Sequence, residues 1–456
     1  MRRSTWWIVP YFSGMLAVFA VAGLLSLTVL HHSPVKHPEA AVSPKVQLPM
    51  PAQMVTDALF HKLTQDLQAH DEAGLLSLVG SAARPAVRTW WENLQAIGYT
   101  TGLIIPAGSN SVVDLDHQGD GTITVLAGTH STFDPSGNQG PDIPSERYQL
   151  GLHFTSATAI GQITSWQPLG HAPWDQGTKL YVRTAKHVVV AGLPADSAQV
   201  NKTLPLAETA ANYDGGLLSH VNSNDLHQDG FIVFVGKQFT GAMPAGWPQA
   251  YQGGRTVPLP GANGDMTGIA TGISAGFTGG ARVIVAPGQT TAQLVRLFML
   301  DILAPDAEGL TKGFAPPTLQ PWTLQGIADA VQGLYQANKN PILAKYDFSA
   351  LTAEARALPA RYRGGQLPTG KQLSGGTQLS GGTAATRKDW NAVAASVYAY
   401  IGRTYGMNQL FGSAALMWTA EPTPFGNVLA SSKGGTYTFY ATATMKARWH
   451  AWLASL

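Results

Sequence analysis

Residues 282–335 read RVIVAPGQTTAQLVRLFMLDILAPDAEGLTKGFAPPTLQPWTLQGIADAVQGLY, from Arg282 to Tyr335. Residues 282–285 alternate as a strand does and stop short of Pro287. Residues 292–303 are apolar at almost every position, so the helix they predict is packed on most of its sides. Pro305 is expected to end that helix, and a second one runs over 322–335 behind Pro321. Everything else in the chain is organised around this unit of strand, buried helix, long connection and second helix.

The second helix opens Trp322-Thr323-Leu324-Gln325-Gly326-Ile327-Ala328-Asp329. With the strand and helix before it, this resembles the core of gluzincin-type zinc peptidases, in particular the membrane-anchored, peptidase-MA-like proteins of high-GC bacteria. In that family the first helix carries H-E-x-x-H, and a later W-L-x-E-G-x-A-D segment supplies the third zinc ligand. The resemblance puts Gln325 where the family has its ligand glutamate, and Leu297, Phe298 and Asp301 where His, Glu and His would stand. Trp322, Gly326, Ala328 and Asp329 match the family motif. What it implies is a gluzincin-like framework without the metal chemistry.

The missing chemistry does not depend on the alignment. H-E-x-x-H works because residues i and i+4 share a helical face and present two imidazoles to one zinc. Between His227 and His450 there is no histidine, and the chain has no cysteine, so no shift of register rebuilds the site. The expectation is a pseudo-peptidase with no metal and no cofactor.

At 456 residues, 45% of them hydrophobic, the chain can bury real cores in two or three domains. Net charge is +2 with 12% charged residues, so no basic field points to nucleic acid. The absence of cysteine excludes disulfides, thiolate catalysis and a lipid anchor on Cys. Arg2 and Arg3, in a short tail over 1–5, precede a hydrophobic run over 6–30 that opens at Trp6 and closes at Leu30. A bilayer needs about 20 apolar residues, so this run predicts a transmembrane signal anchor with the arginines cytoplasmic and the rest outside. A cleaved signal peptide, the competing reading, has a shorter core and a small-residue cleavage site, which Leu27-Thr28-Val29-Leu30-His31 is not. Residues 31–53, with five prolines, read as an extended linker.

Residues 54–68, 72–79 and 85–97 have helical spacing. Strand-like runs follow at 102–105, 122–127, 148–154, 159–166 and 180–190. Helices followed by an antiparallel sheet predict a small α+β domain over 54–192. Trp166 and the Pro173-Trp174-Asp175 turn also resemble the NTF2-like or cystatin-like domain that precedes the peptidase-like domain in the same family. The peptidase-like α+β domain is then expected over 200–456: a helix at 204–219, a buried strand at 231–235, and a helical C-terminal part. That part has a Gly-rich repeat over 372–383, a helix over 390–405 ending at Gly406, and a last helix with Trp449 and Trp452.

Three further motifs carry possible chemistry. Gly272-Ile273-Ser274-Ala275-Gly276 spells the nucleophile elbow G-x-S-x-G, but glycines flank it and a strand follows where the motif needs a helix, so a Gly-rich hairpin is expected. Asp114, Asp116 and Gly119 match part of a calcium loop, yet Gln118 and Val125 stand at two ligand positions; a hairpin turn at Asp120-Gly121 explains the same residues. Asp301, Asp306, Glu308 and Asp329 are carboxylates around the vestigial cleft. Asp301, on an apolar helix, needs a partner such as Arg296, Arg282 or a backbone amide. The reading is a membrane-anchored binding or scaffold protein of the bacterial cell envelope, taking an envelope protein or peptide in the old cleft. The alternative is a hydrolase using Ser274 or a carboxylate pair.

Overall fold

The computed structural model describes residues 52–107, 113, 115–116, 118–133, 145–156, 159–170, 172–175, 177–219, 230–240, 254–258, 281–309, 321–344, 347–363, 384–408, 410–411, 430–433, 436–439 and 442–456. It is an α+β fold with two main sheets. Three helices come first: α1 (Ala52–Gln68), α2 (Glu72–Ser77) and α3 (Arg84–Ala96). Asp71 caps α2 by accepting the Gly74 amide at 2.9 Å. Val87, Trp90, Trp91 and Leu94 of α3 recur at helical spacing and are buried, which makes one apolar face.

That face packs on an antiparallel sheet of β1 (Tyr99–Pro106), β2 (Asp120–Ser131), β3 (Ser145–His153) and β4 (Gln162–Pro168), in the order β1-β2-β3-β4. On β3, Tyr148, Leu150 and Leu152 alternate inward while Arg147 and Gln149 face out. The hydroxyl of Thr64 on α1 donates to the Ile104 carbonyl at 3.2 Å and accepts the Ile104 amide at 3.0 Å, tying helix to sheet.

A second sheet joins β5 (Tyr181–Thr184), β6 (Val188–Gly192), β7 (Phe231–Val235), β8 (Gly254–Pro258) and β9 (Ala281–Val285), in the order β5-β6-β7-β9-β8. Strands β6, β7 and β9 are parallel, and β5 and β8 are antiparallel edges. The run expected as a single closing strand of the small domain, 180–190, is instead two strands of this second sheet. Its β-branched residues, Val182, Thr184 and Val188 to Val190, suit a strand in either sheet, and periodicity says nothing about which sheet a strand joins.

The parallel strands read as continuous apolar runs because both of their faces are covered. Val188, Val190, Phe231, Val233, Val283 and Val285 face a helical layer. Val189, Ala191, Ile232, Phe234 and Ile284 face the other way and share one core with α1–α3 and the first sheet. The helical layer contains α4 (Ser197–Leu218), α5 (Thr291–Gly309) and α6 (Pro321–Ala337). Outside them lie α7 (Pro341–Ala344), α8 (Ser349–Ala357), α9 (Ala360–Arg363), α10 (Ala384–Tyr405) and α11 (Thr442–Ala454), with a hairpin β10 (Ala430–Lys433) and β11 (Thr436–Phe439). Gly406, at φ +89°, stops α10 in the left-handed conformation glycine favours.

Three local expectations change. Helix α5 runs past Pro305 to Gly309; a proline removes one backbone bond and ends the helix about a turn later rather than at once. Helix α4 likewise begins at Ser197 and carries Pro205 inside it. Asp120 and Gly121 open β2, paired with His153 and Leu152, so the turn lies earlier. There Asp116 Oδ1 accepts the amides of Gln118 (2.8 Å) and Asp120 (2.9 Å), and Gly119 takes φ +81°. Among the described residues no helix is long and apolar enough to cross a membrane. The anchor over 6–30, the linker over 31–53 up to Pro51, Ser274 and the repeat over 372–383 lie outside the described residues.

Because the first core is completed by Ile232, Phe234 and Ile284, a fragment ending near residue 195 lacks one wall of it. Residues 52–195 expressed alone should show no cooperative thermal transition by circular dichroism. A sharp transition in that fragment would mean the two sheets fold independently.

Candidate functional site

The first candidate is the α5–α6 pair. Leu297 and Phe298 are buried, and Asp301 is fully so. The Phe298 ring stacks on Phe231 of β7 with centroids 3.9 Å apart and planes 11° from parallel. The Arg296 guanidinium donates through Nε to Asp329 Oδ1, joining α5 to α6. Arg296 thus ties α5 to Asp329 of α6, whose Oδ2 is buried with no hydrogen bond. Gly326 is a packing glycine: a Cβ there would lie 2.6 Å from Tyr398 of α10 and 3.0 Å from the Ala394 carbonyl. Ala328 is fully buried beside it. The side chains of Trp322, Gln325, Asp306 and Glu308 lie outside the described residues. Leu297, Phe298, Asp301, Gly326 and Ala328 therefore meet packed side chains and not an open cleft. No group of His, Asp or Glu among the described residues could hold a metal ion.

A second constellation gathers where the first sheet meets the second. Tyr148 of β3 is fully buried; its hydroxyl accepts Trp90 Nε1 at 3.0 Å and donates to Asp175 Oδ2 at 2.7 Å. Trp166 of β4 packs on Tyr148 (centroids 4.6 Å) and on Trp90 (5.1 Å), and its buried Nε1 has no acceptor. Glu146, two residues before Tyr148, shares its face of β3. From the second sheet comes Arg282, buried, with its guanidinium 5.6 Å from the Trp174 ring centroid. Burial pushes the Glu146 carboxyl up to about 7 against the opposing pull of Arg282. Burial, then the Glu146 charge, raises Asp175 well above the usual carboxylate range, while the Tyr148 hydrogen bond works the other way. Burial and the neighbouring carboxylates raise Tyr148 as well. Sequence reasoning singled out Trp166 and Pro173-Trp174-Asp175 only as a family pattern. The alternation Glu146-x-Tyr148 could have placed those two side chains on one strand face, but nothing local in the sequence brings Arg282 of the second sheet to them.

A third group sits inside the helical layer. Asp214 of α4 is fully buried, and neither carboxyl oxygen has a hydrogen-bond partner. Burial raises its pKa well above the ordinary value. Beside it Tyr213, whose hydroxyl is also buried without a partner, meets Tyr335 edge to face at 4.9 Å. No family model matches the chain, and no curated protein or solved structure matches it either.

Asp214 is the position where stability and pH are tied most simply. A carboxyl raised on folding is neutral in the folded state; its cost is absent below the unfolded value near 3.8 and grows as pH rises above it. Asp214→Asn should therefore stabilise the protein by ~1–3 kcal/mol at neutral pH, with the gain vanishing near pH 4. Thermal melts of the variant at several pH values check this. A variant less stable than the parent at pH 7.5 would contradict it.

Proposed function

We infer that the chain is a membrane-anchored, extracytoplasmic binding or scaffold protein of the cell envelope, built on a gluzincin-like framework whose metal position has been given over to packing. The observation that carries this reading is Phe298: on the alignment it stands where the catalytic glutamate would be, and it is fully buried against Phe231. A side chain stacked in the core cannot polarise a water. The succession β9, α5, long connection, α6 supports the framework, as does the antiparallel strand β8 at the sheet edge, which packs against α5. The anchor rests on the apolar run over 6–30 behind Arg2 and Arg3, and a partner of protein or peptide chemistry follows from the lineage.

Two measurements test it. Protease added to spheroplasts should degrade the chain from residue 31 onward and leave the anchor behind; full protection would overturn the topology. The purified ectodomain should show no chelator-sensitive peptidase activity and no labelling by a fluorophosphonate probe. Labelling that disappears in Ser274→Ala would make the chain a serine hydrolase instead.

A further inference from the structure

We propose that α7 is a membrane-docking turn, in which Ile342 and Leu343 enter the interface of a bilayer with anionic headgroups and hold the folded part against the membrane that carries its anchor. This rests on the anchor over 6–30 inferred above. Ile342 and Leu343 are 51% and 55% exposed. The other large apolar side chains exposed among the described residues, Ile160 and Leu169, stand singly beyond either end of β4. A lone exposed leucine needs no explanation. An adjacent pair held out on one turn does.

The turn is braced on both sides of the pair. Pro341 packs on Gly216 of α4, where a Cβ would lie 2.7 Å from Pro341 Cγ, and Ala344 is fully buried. Asn338 Oδ1 accepts the Asn340 amide at 2.9 Å, and Asn340 Oδ1 accepts the Ile342 amide at 3.0 Å. The Asn340 carbonyl accepts the amides of Leu343 at 3.1 Å and Ala344 at 2.9 Å. The backbone donors at the tip are therefore satisfied inside the turn. A protein partner's hydrogen bonds would find nothing to pair with them, whereas a bilayer interior admits backbone only when its polar groups are already paired. The tip suits lipid.

Charge points the same way. Lys339 is exposed; its Nζ donates to the Tyr335 carbonyl at 2.8 Å and lies 3.7 Å from the Tyr335 ring centroid, at the base of the turn. Lys345 follows Ala344 in the sequence. The two helices packed against α7 are α4 and α6, and neither α4 from Thr209 onward nor α6 from Ala330 onward presents an exposed acid, Asp214 being buried. An apolar pair between two lysines matches an anionic lipid surface, with the side chains at the acyl boundary and the ammonium groups among the phosphates. Two residues are too small an area to bind a membrane stably by themselves. The anchor supplies the rest. A chain over 31–51 reaches at most ~75 Å, so the folded part never leaves the bilayer's neighbourhood and the weak contact becomes an intramolecular one.

The chain has no cysteine, so the full-length protein can be labelled at one introduced thiol. Leu343→Cys carries an environment-sensitive nitrobenzoxadiazole dye, and Leu169→Cys, near the Glu146 carboxyl at Gly170, is the comparison. Each is reconstituted into nanodiscs of phosphatidylcholine, with or without phosphatidylglycerol. Co-purification with the discs reports the anchor; dye emission and quenching by nitroxide-bearing lipid report the docking. The label at position 343 should shift to the blue and be quenched, and the label at 169 should do neither. Phosphatidylglycerol should raise the docked-to-free ratio at 343 roughly tenfold or more, because two lysines act together. Adding Ile342→Asp, a change at an exposed position, should return the label to water. A chain that enters the discs with its 343 label in water would overturn the docking and leave the anchor standing; a chain that does not enter them would overturn both. Equal quenching at 169, or a blue shift at 343 that lipid-borne nitroxide does not quench, would also overturn the proposal, the latter because protein, a second copy included, then covers the pair.

Discussion

Strands β6, β7 and β9 have to be covered on both faces, and the rest of the molecule is arranged to do it. A parallel sheet exposes apolar side chains up and down, and burying each large one contributes about 1.5–3 kcal/mol. The helices α4, α5 and α6 supply one cover and the antiparallel lobe supplies the other. Val233 and Phe234, adjacent in β7, therefore belong to different cores. The two covers differ in kind. The helical one is packed closely enough that Gly326 meets Tyr398 with no room for a methyl group, whereas the lobe side is filled largely by aromatic side chains such as Trp90, Trp91, Tyr148 and Trp166.

Charge in these cores is handled in three ways. Arg296 and Asp329 are paired directly across α5 and α6. Arg282 is set over an indole with a carboxyl nearby. Asp214 has no hydrogen-bond partner and is kept neutral by its surroundings. A buried pair is weak support for stability, because desolvation offsets most of the attraction. What such pairs do well is to fix which surfaces meet. Arg296 and Asp329 select one register for α5 against α6, and Arg282 marks where the second sheet meets the lobe.

The sequence predicted local structure well and assembly less well. Helices α3, α6 and α10 follow from residues such as Val87, Val331 and Val397 recurring at helical spacing, and β7 from the unbroken run Phe231-Ile232-Val233-Phe234-Val235. Periodicity is a property of neighbours in the chain, so it carried these. It could not say that 180–190 leaves the first sheet for the second, since β-branched residues suit either. Proline was over-read at Pro305, where the helix continues to Gly309. The absence of His from α5 was legible from a histidine count alone. The Glu146, Tyr148, Asp175 and Arg282 cluster was not, because its members are distant in the chain and meet only once two sheets are stacked.

The shared core also sets an order of events when the chain is made. Synthesis runs from the N-terminus, so α1–α3 and β1–β4 emerge well before Ile232, Phe234 and Ile284, which complete their core. Until β7 arrives, β6 has no parallel partner on which to form, and until β9 follows, the side of Trp174 that meets Arg282 faces water. Contacts this far apart in sequence are slow to close. The nascent first half is therefore an obligatory waiting state with a wet apolar face, and the cell must shelter it from other chains for as long as the second half takes to appear.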